Sequence, residues 1–482
     1  MFQSFEVTSR PEQGPPRLAA LRNEIKAEGL DGFLVPRADV HQGEYVAPHD
    51  ERLQWLTGFT GSAGFCAALV GAAGVFIDGR YRTQVKTQIA DVYTPVAWPE
   101  VSLAEWLREQ LPQGGIVGFD PWLHAAAQIE QLNGALEGSD IEMRRCDNLV
   151  DRIWKDQPAP PVQIAKVHPI EFAGESHADK AARLGKSLRD CGAAAAVITL
   201  PDSLCWLLNI RGADIARNPV MHGFVVLHGS GNVDLFADPA KVGQLKPHLG
   251  STVTLHAPEA LLDYVQTLAG PVRLDKATVP VAIADVIANR VTWGDDPCAL
   301  PKACKNAAEV AGSAAAHLRD GAALVELLAW LDQQPTGTVT ETQVVSRLED
   351  FRRRDNALQD ISFETIAGTG PNGAIMHYRV TKDTDSVLED GQLLVLDSGG
   401  QYLDGTTDIT RTIAIGSALP EAKQAFTRVL LGMIAMSRLR WPQGLAGRDI
   451  EAIGRLPLWM AGQDFDHGLG HGVGAYLSVH EG

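Results

Sequence analysis

Three histidines stand among five glycines over the last sixteen residues: His467-Gly468-Leu469-Gly470-His471-Gly472-Val473-Gly474, then Ala475-Tyr476-Leu477-Ser478-Val479-His480-Glu481-Gly482. Glycine lets a backbone approach a ligand closely and adopt positive φ. Imidazole is the commonest metal ligand and the usual proton carrier near neutral pH. A second group lies upstream. Leu393-Leu394-Val395-Leu396 is an apolar run that ends in Asp397, and Asp408 follows within Asp404-Gly405-Thr406-Thr407-Asp408-Ile409-Thr410. These read as two strands joined by a turn containing Gly and Asp, so that Asp397 and Asp408 project from neighbouring strands into one site. Asp404-Gly405 is itself a turn signal, which makes Asp404 a turn residue. Asp397 directly follows four apolar residues. A carboxylate buried there needs a partner, and a metal is one of the few that suffice.

Two carboxylates and an imidazole form a hard, oxygen-rich ligand set. It suits Mn²⁺, Co²⁺ or Zn²⁺ in a hydrolytic site better than an all-thiolate structural site. Two metals sharing a bridging carboxylate clamp a water and lower its pKa. The remaining histidines are then free to move protons and polarise a scissile carbonyl.

Several stretches carry a family resemblance: Ala316-His317-Leu318-Arg319-Asp320-Gly321, Gly370-Pro371-Asn372-Gly373-Ala374-Ile375-Met376-His377-Tyr378, Leu396-Asp397-Ser398-Gly399, Gly405 through Thr412, and the terminal histidine-glycine run. In order and spacing the chain resembles the aminopeptidase P (Xaa-Pro aminopeptidase) family of long, three-domain cytosolic metallopeptidases with the pita-bread fold. The resemblance implies an α/β protein in which two related creatinase-N-like domains precede a pita-bread catalytic domain. It implies release of the N-terminal residue from peptides with proline in second position, through a metal-bridging hydroxide. It also implies two divalent metal ions, Mn²⁺ first and Zn²⁺ or Co²⁺ as alternatives, and a homodimer. Carried over by position, Asp397, Asp408 and His471 fall on three of the family's five metal ligands. His377 falls on the histidine beside the substrate's proline, and His467 and His480 on the two proton-handling histidines. Leu469 stands where the family has Thr, which removes a hydroxyl near the site but no ligand. The family's other two ligands are glutamates beyond Gly482, one of them the general base, and Glu481 aligns with a non-ligand. The expectation is therefore a chain with three of five ligands, weakly held metals and little or no activity of its own.

Composition narrows the classes. The net charge of −17 argues against nucleic-acid or anionic-membrane partners. Hydrophobic content of 45% is ordinary for a globular protein with several cores. Cys66, Cys146, Cys191, Cys205, Cys298 and Cys304 are scattered with no Cys-x-x-Cys pair, which reads as thiols in a reducing compartment. The start, Met1-Phe2-Gln3-Ser4-Phe5-Glu6, lacks a basic n-region and an apolar h-region. No apolar run reaches the ~18 residues of a membrane span. Together these give a cytoplasmic expectation.

Length suggests about three domains. Leu18, Leu21 and Ile25 give Arg17 to Glu28 helical spacing; Gly29 and the strand Gly32-Phe33-Leu34-Val35-Pro36 follow. Ala182 to Arg189, Gly192 and Ala195 to Pro201 repeat that order, and Trp55 and Trp206 follow the respective copies, which reads as a duplication. The proline-rich stretch around Ala159 is a stiff connection. The domains are expected at 1–157, 158–303 and 304–482. A long helix from Ala307 to Asp332 opens the last, with Val310, Leu318, Leu324, Leu327, Leu328 and Leu331 as its apolar face. A second helix is expected from Thr342 to Arg354. Asp78-Gly79-Arg80-Tyr81 reads as a strand-end turn with a solvated Arg; the competing reading has it reach the active-site mouth. His41, His49, His222, His228 and His256 read as surface or core histidines. The rival functions are a prolidase or another pita-bread peptidase, and a non-catalytic binding protein on the same scaffold.

Overall fold

Leu18, Leu21 and Ile25 recur at helical spacing, and the helix Gly14–Ala27 buries all three against a sheet. In this computed structural model residues 1–481 are described. The strand Gly32–Pro36 follows, closed off from the helix by Gly29 at φ +64°. It pairs antiparallel with Phe65–Leu69 and parallel with Gly115–Phe119. The full order is Thr94–Ala97, Ala73–Ile77, Phe65–Leu69, Gly32–Pro36, Gly115–Phe119, Ile141–Arg145. A second six-stranded sheet runs Val253–His256, Val233–Phe236, Phe224–His228, Ala195–Ile198, Val272–Leu274, Val291–Trp293. The same order and the same pattern of parallel and antiparallel pairs recur in both. Their central strands are buried on both faces, which is why they read as apolar runs rather than alternations.

The fold class is the α/β expected. The last region opens with the helix Ala307–Leu331, capped by Asn306, whose Oδ1 accepts from the N–H groups of Ala308 and Glu309. Its buried face differs from expectation. Val310 and Leu318 are exposed, and the buried stripe is Glu309, Gly312, Ala316, Asp320, Ala323, Leu324 and Leu327. Two contacts set that rotation: a Cβ at Gly312 would lie 2.3 Å from the Asp404 carbonyl oxygen, and Asp320 is fully buried against Arg352. Leu318 lies two residues from both Ala316 and Asp320, on the far side of the helix.

The helix Glu341–Arg352 follows, then two small sheets. One joins Ile366–Thr369, Leu393–Ser398 and Ile409–Ala414, all antiparallel. The expected single turn between the aspartate strands is instead an excursion. Residues 400–406 form a hairpin of Gly400–Tyr402 and Gly405–Thr406 that pairs with Leu358–Ile361 in the other sheet. The turn signal at Asp404-Gly405 belongs to that hairpin, where Asp404 accepts from Arg319 at 2.8 Å. The helices Pro420–Ser437 and Gly447–Trp459 cross where Gly432 meets Gly454, and they leave Phe426, Leu431, Met433 and Trp459 exposed. All six cysteines are unpaired. Among the described residues no helix is long and apolar enough to cross a membrane.

Candidate active site

In the strand Leu393–Ser398, Leu394, Leu396 and Ser398 point into the core and Asp397 takes the other, half-buried face. Its cross-strand partner is Thr410, whose hydroxyl donates to Asp397 Oδ1 at 2.7 Å. Asp408 lies just before that partner strand, and the two carboxyls face each other. Burial raises the pKa of Asp397, and the neighbouring Asp408 raises it further. The close approach is fixed at Gly399, where a Cβ would lie 1.9 Å from the Thr407 carbonyl oxygen.

His471 Nε2 lies 3.1 Å from Asp408 Oδ2. Its Nδ1 faces the Gly472 carbonyl at 2.7 Å. A carbonyl only accepts, so Nδ1 carries a hydrogen and Nε2 is aimed at the carboxylates, the orientation of a metal-ligating imidazole. The hydrogen bond to Asp408 raises the pKa of His471. The donor set is thus carboxylate oxygen plus one imidazole nitrogen, with two like charges that a cation would relieve, and in kind it fits a divalent metal. Among the described residues no three His, Cys, Asp or Glu side chains form a ready cage.

The other three histidines divide. His480 stands edge-on to His471, ring centroids 4.4 Å apart, and its Nδ1 lies 2.6 Å from Glu44 Oε2. His377 Nδ1 lies 2.7 Å from the Tyr81 hydroxyl. Burial, with Arg80 next, pushes the His377 pKa down to about 4. His467 stands apart: its Nδ1 meets the Gly468 carbonyl at 2.8 Å and its ring packs on Phe465. It lines a separate cavity of about 410 Å³ with Asp78, Arg80 and Arg455. The segment 78–81 runs between His467 and His377, and a Cβ at Gly79 would lie 2.7 Å from Asp466 Cβ. The segment is a turn at the end of the strand Ala73–Ile77, as expected, but its Arg is held in an ion pair rather than solvated, and the turn reaches the site. Arg80 is paired with Asp78 at 2.7 Å, and Tyr81 is buried against His377. Glu481 is buried and held by Lys302 at 2.9 Å and by Lys305.

Three residues at this site escaped the sequence reading. Tyr81 lies in a stretch whose competing reading pointed here. Asp320 lies in Ala316–Gly321, quoted for its resemblance alone. It is the hub beneath the aspartates, accepting from Arg352 Nε (2.6 Å) and Nη2 (2.9 Å), Tyr402 (2.8 Å) and Thr407 (2.9 Å). Glu44 carries no local signal at all.

Residues 17–153 and 156–309 each match the Creatinase/Prolidase N-terminal domain, and residues 303–482 match Metallopeptidase family M24. The class is therefore a hydrolase: a peptidase region preceded by two related N-terminal units. A Coccidioides posadasii protein named "Probable Xaa-Pro aminopeptidase P" is 38% identical over 499 residues, which span 99% of this chain and 76% of that protein. An Aspergillus niger protein of the same name is 36% identical, over 97% of this chain and 79% of its own length. The Caenorhabditis elegans X-prolyl aminopeptidase, described as a cytosolic enzyme with a di-nuclear active site, superposes with a TM-score of 0.92 at 30% identity, over 97% of this chain and 81% of its own. The chain belongs to the Xaa-Pro aminopeptidase P family. The family and fold expected from the sequence are those found.

Proposed function

We propose that the protein releases the N-terminal residue from peptides whose second residue is proline, with two divalent metal ions at Asp397, Asp408 and His471. One observation carries the reading: the 3.1 Å contact of His471 with Asp408 beside Asp397, in a chain similar along nearly all its length to proteins named Xaa-Pro aminopeptidase P. When bound, the metals supply Lewis acidity and an acidified water; Mn²⁺ is the first choice and Zn²⁺ or Co²⁺ the alternatives. The Xaa-Pro bond is a tertiary amide with no N–H and a fixed ring. A peptidase that clamps an extended backbone handles it badly, so selectivity needs a pocket for the pyrrolidine, with His377 at its edge. His480, beside His471, carries protons to and from the scissile amide, and His467 shares that role once its loop turns from Phe465 toward the carboxylates. The reading extends to a cytoplasmic homodimer, to peptides rather than nucleic acid or membrane as partners, and to domain boundaries near 157 and 303.

The test uses the complete protein, to which this reading applies, compares Xaa-Pro-Xaa, Xaa-Ala-Xaa and Xaa-Pro as substrates, and measures bound metal. Cleavage of the first only, behind the first residue, is expected. His471→Ala should lose metal. His377→Ala should keep it and lose roughly 10²–10⁴ in kcat. Preference for the dipeptide would make the protein a prolidase, and equal metal loss in both variants would overturn the assignment of roles.

A further inference from the structure

His377 and His480 meet the first domain at adjacent points, and the side chains between those points form an unbroken series. His480 Nδ1 lies 2.6 Å from Glu44 Oε2. Ser62 Oγ lies 3.4 Å from Glu44 Oε1 and 2.6 Å from the Tyr81 hydroxyl oxygen. That oxygen accepts from the Ser62 N–H at 3.0 Å and stands 2.7 Å from His377 Nδ1. Tyr81 is buried, and its ring meets Phe59 edge-on at 5.5 Å.

The charge on Glu44 favours one direction for the protons. Glu44 is ionised, and an ionised carboxylate only accepts. His480, at 2.6 Å, must therefore donate, which gives it an Nδ1–H; Ser62 stands at a long 3.4 Å, and donation of its single hydroxyl proton to the carboxylate rather than to Tyr81 is what gives the series its direction. Ser62 Oγ can then only accept from Tyr81, and this uses the single Tyr81 hydroxyl proton. His377 Nδ1 must in turn donate to Tyr81. We propose that Glu44, Ser62 and Tyr81 of the first domain form a one-way hydrogen-bond relay that fixes His377 and His480 as Nδ1–H tautomers, so that both present a bare Nε2 to the substrate. The three are positioning residues. They touch no substrate and act by fixing which nitrogen of each histidine accepts a proton. A single carboxylate thereby sets the tautomer of two histidines, and the first domain becomes a working part of the site in the third.

The inference rests on the reading of His377 and His480 as proton carriers, but its first test needs no turnover. In protein labelled with ¹⁵N-histidine, two-bond ¹H–¹⁵N spectra report each tautomer, with peaks assigned by loss in His377→Gln and His480→Gln. Both histidines should be Nδ1–H in the wild type at neutral pH. Glu44→Gln puts an amide N–H in place of one of the two acceptor oxygens; facing His480 it turns that histidine to Nε2–H, and facing Ser62 it reverses the relay and turns His377 to Nε2–H, so one of the two should leave the Nδ1–H form. Tyr81→Phe keeps the buried ring and removes the acceptor, and should release His377 from the Nδ1–H form. Ser62→Ala cuts the relay in the middle and guards against an unstable Tyr81 variant. On Xaa-Pro-Xaa substrate, Glu44→Gln and Tyr81→Phe should lower kcat about 10- to 100-fold, the usual effect of an orienting partner, with KM within about twofold. An Nε2–H tautomer at either wild-type histidine overturns the relay. So does an active wild type whose Tyr81→Phe variant keeps both the His377 tautomer and kcat. A wild type that leaves Xaa-Pro-Xaa uncut overturns the proposed function instead, and the tautomers still decide the relay.

Discussion

Asp397 shows how far residue type and position carry an argument. Four apolar residues before it announced a buried strand, and the alternation of that strand turned it away from the core that Leu394 and Leu396 fill. Its place opposite Thr410 follows from the register. The histidines were legible only by type. Nothing in His467-x-x-x-His471 says that one ring faces a carboxylate while the other packs on Phe465. Histidines outside the site have consequences of their own. His124 is buried in the first domain, donates from Nδ1 to the Asp120 carbonyl at 3.0 Å, and lies edge-on to Phe119. Burial pushes its pKa down from 6.5 to about 4. Between those values the unfolded chain binds a proton that the fold excludes. The stability this group allows is complete above pH 6.5 and falls as pH drops toward 4, by about 3 kcal/mol. His124→Asn keeps a donor for Asp120 and removes the titration. Urea unfolding from pH 7 to 4 should show an acid-dependent loss about 3 kcal/mol smaller in the variant; parallel curves would show that His124 is not excluded from protonation.

Helices and strands were legible where periodicity was strong and a stop signal was present, as at Gly14–Ala27 and Gly32–Pro36. The expected face of Ala307–Leu331 holds only in its second half: Leu324 and Leu327 are buried, whereas Val310 and Leu318 are exposed and the first half buries Gly312, Ala316 and Asp320 instead. Small residues admit the hairpin at Asp404, and the ion pair with Arg352 outweighs the exposure of Leu318. Arg352 also donates to Ser398 Oγ at 3.0 Å, and Asp320 accepts from Thr407. Ser398 adjoins Asp397 and Thr407 adjoins Asp408, so one buried pair holds the backbone behind both aspartates. Such a pair is weak evidence for stability as a whole, but breaking it strands a charge. Asp320→Asn leaves Arg352 unpaired and turns an amide N–H toward it. The expected cost is about 3–5 kcal/mol, read as a lower midpoint in thermal unfolding. A midpoint unchanged within error would mean that the aspartates are positioned by their own strands alone.

At the scale of the molecule, sequence pattern is nearly silent, because periodicity reports neighbours three or four residues away and tertiary contacts join residues hundreds apart. The two halves of the active-site relay are such a case, with Tyr81 and His377 separated by 296 positions in the chain. Arg211, buried in the short strand Ile210–Arg211, donates to the carbonyls of Tyr476 (2.5 Å) and Ala475 (3.0 Å), which ties the histidine-bearing loop to the second unit. The first residues cross to the third region as well. The Phe2 N–H donates to Glu349, and Gln3 is buried with its amide paired both ways to the backbone of Thr365, Nε2 to oxygen at 3.2 Å and N–H to Oε1 at 2.8 Å. Thr365 adjoins the strand Ile366–Thr369, which pairs with the Asp397 strand. Gln3 therefore buttresses the aspartates from the opposite end of the chain. Gln3→Leu keeps the bulk and leaves one buried N–H and one buried C=O unpaired, at about 2 kcal/mol or more. Hydrogen exchange should quicken at residues 362–369 and in the Leu393–Ser398 strand, while Ala195–Ile198, in the core of the second sheet, keeps its protection. Equal acceleration in both places would mean that the chain opens only as a whole, and that Gln3 supports general stability rather than the aspartate strands.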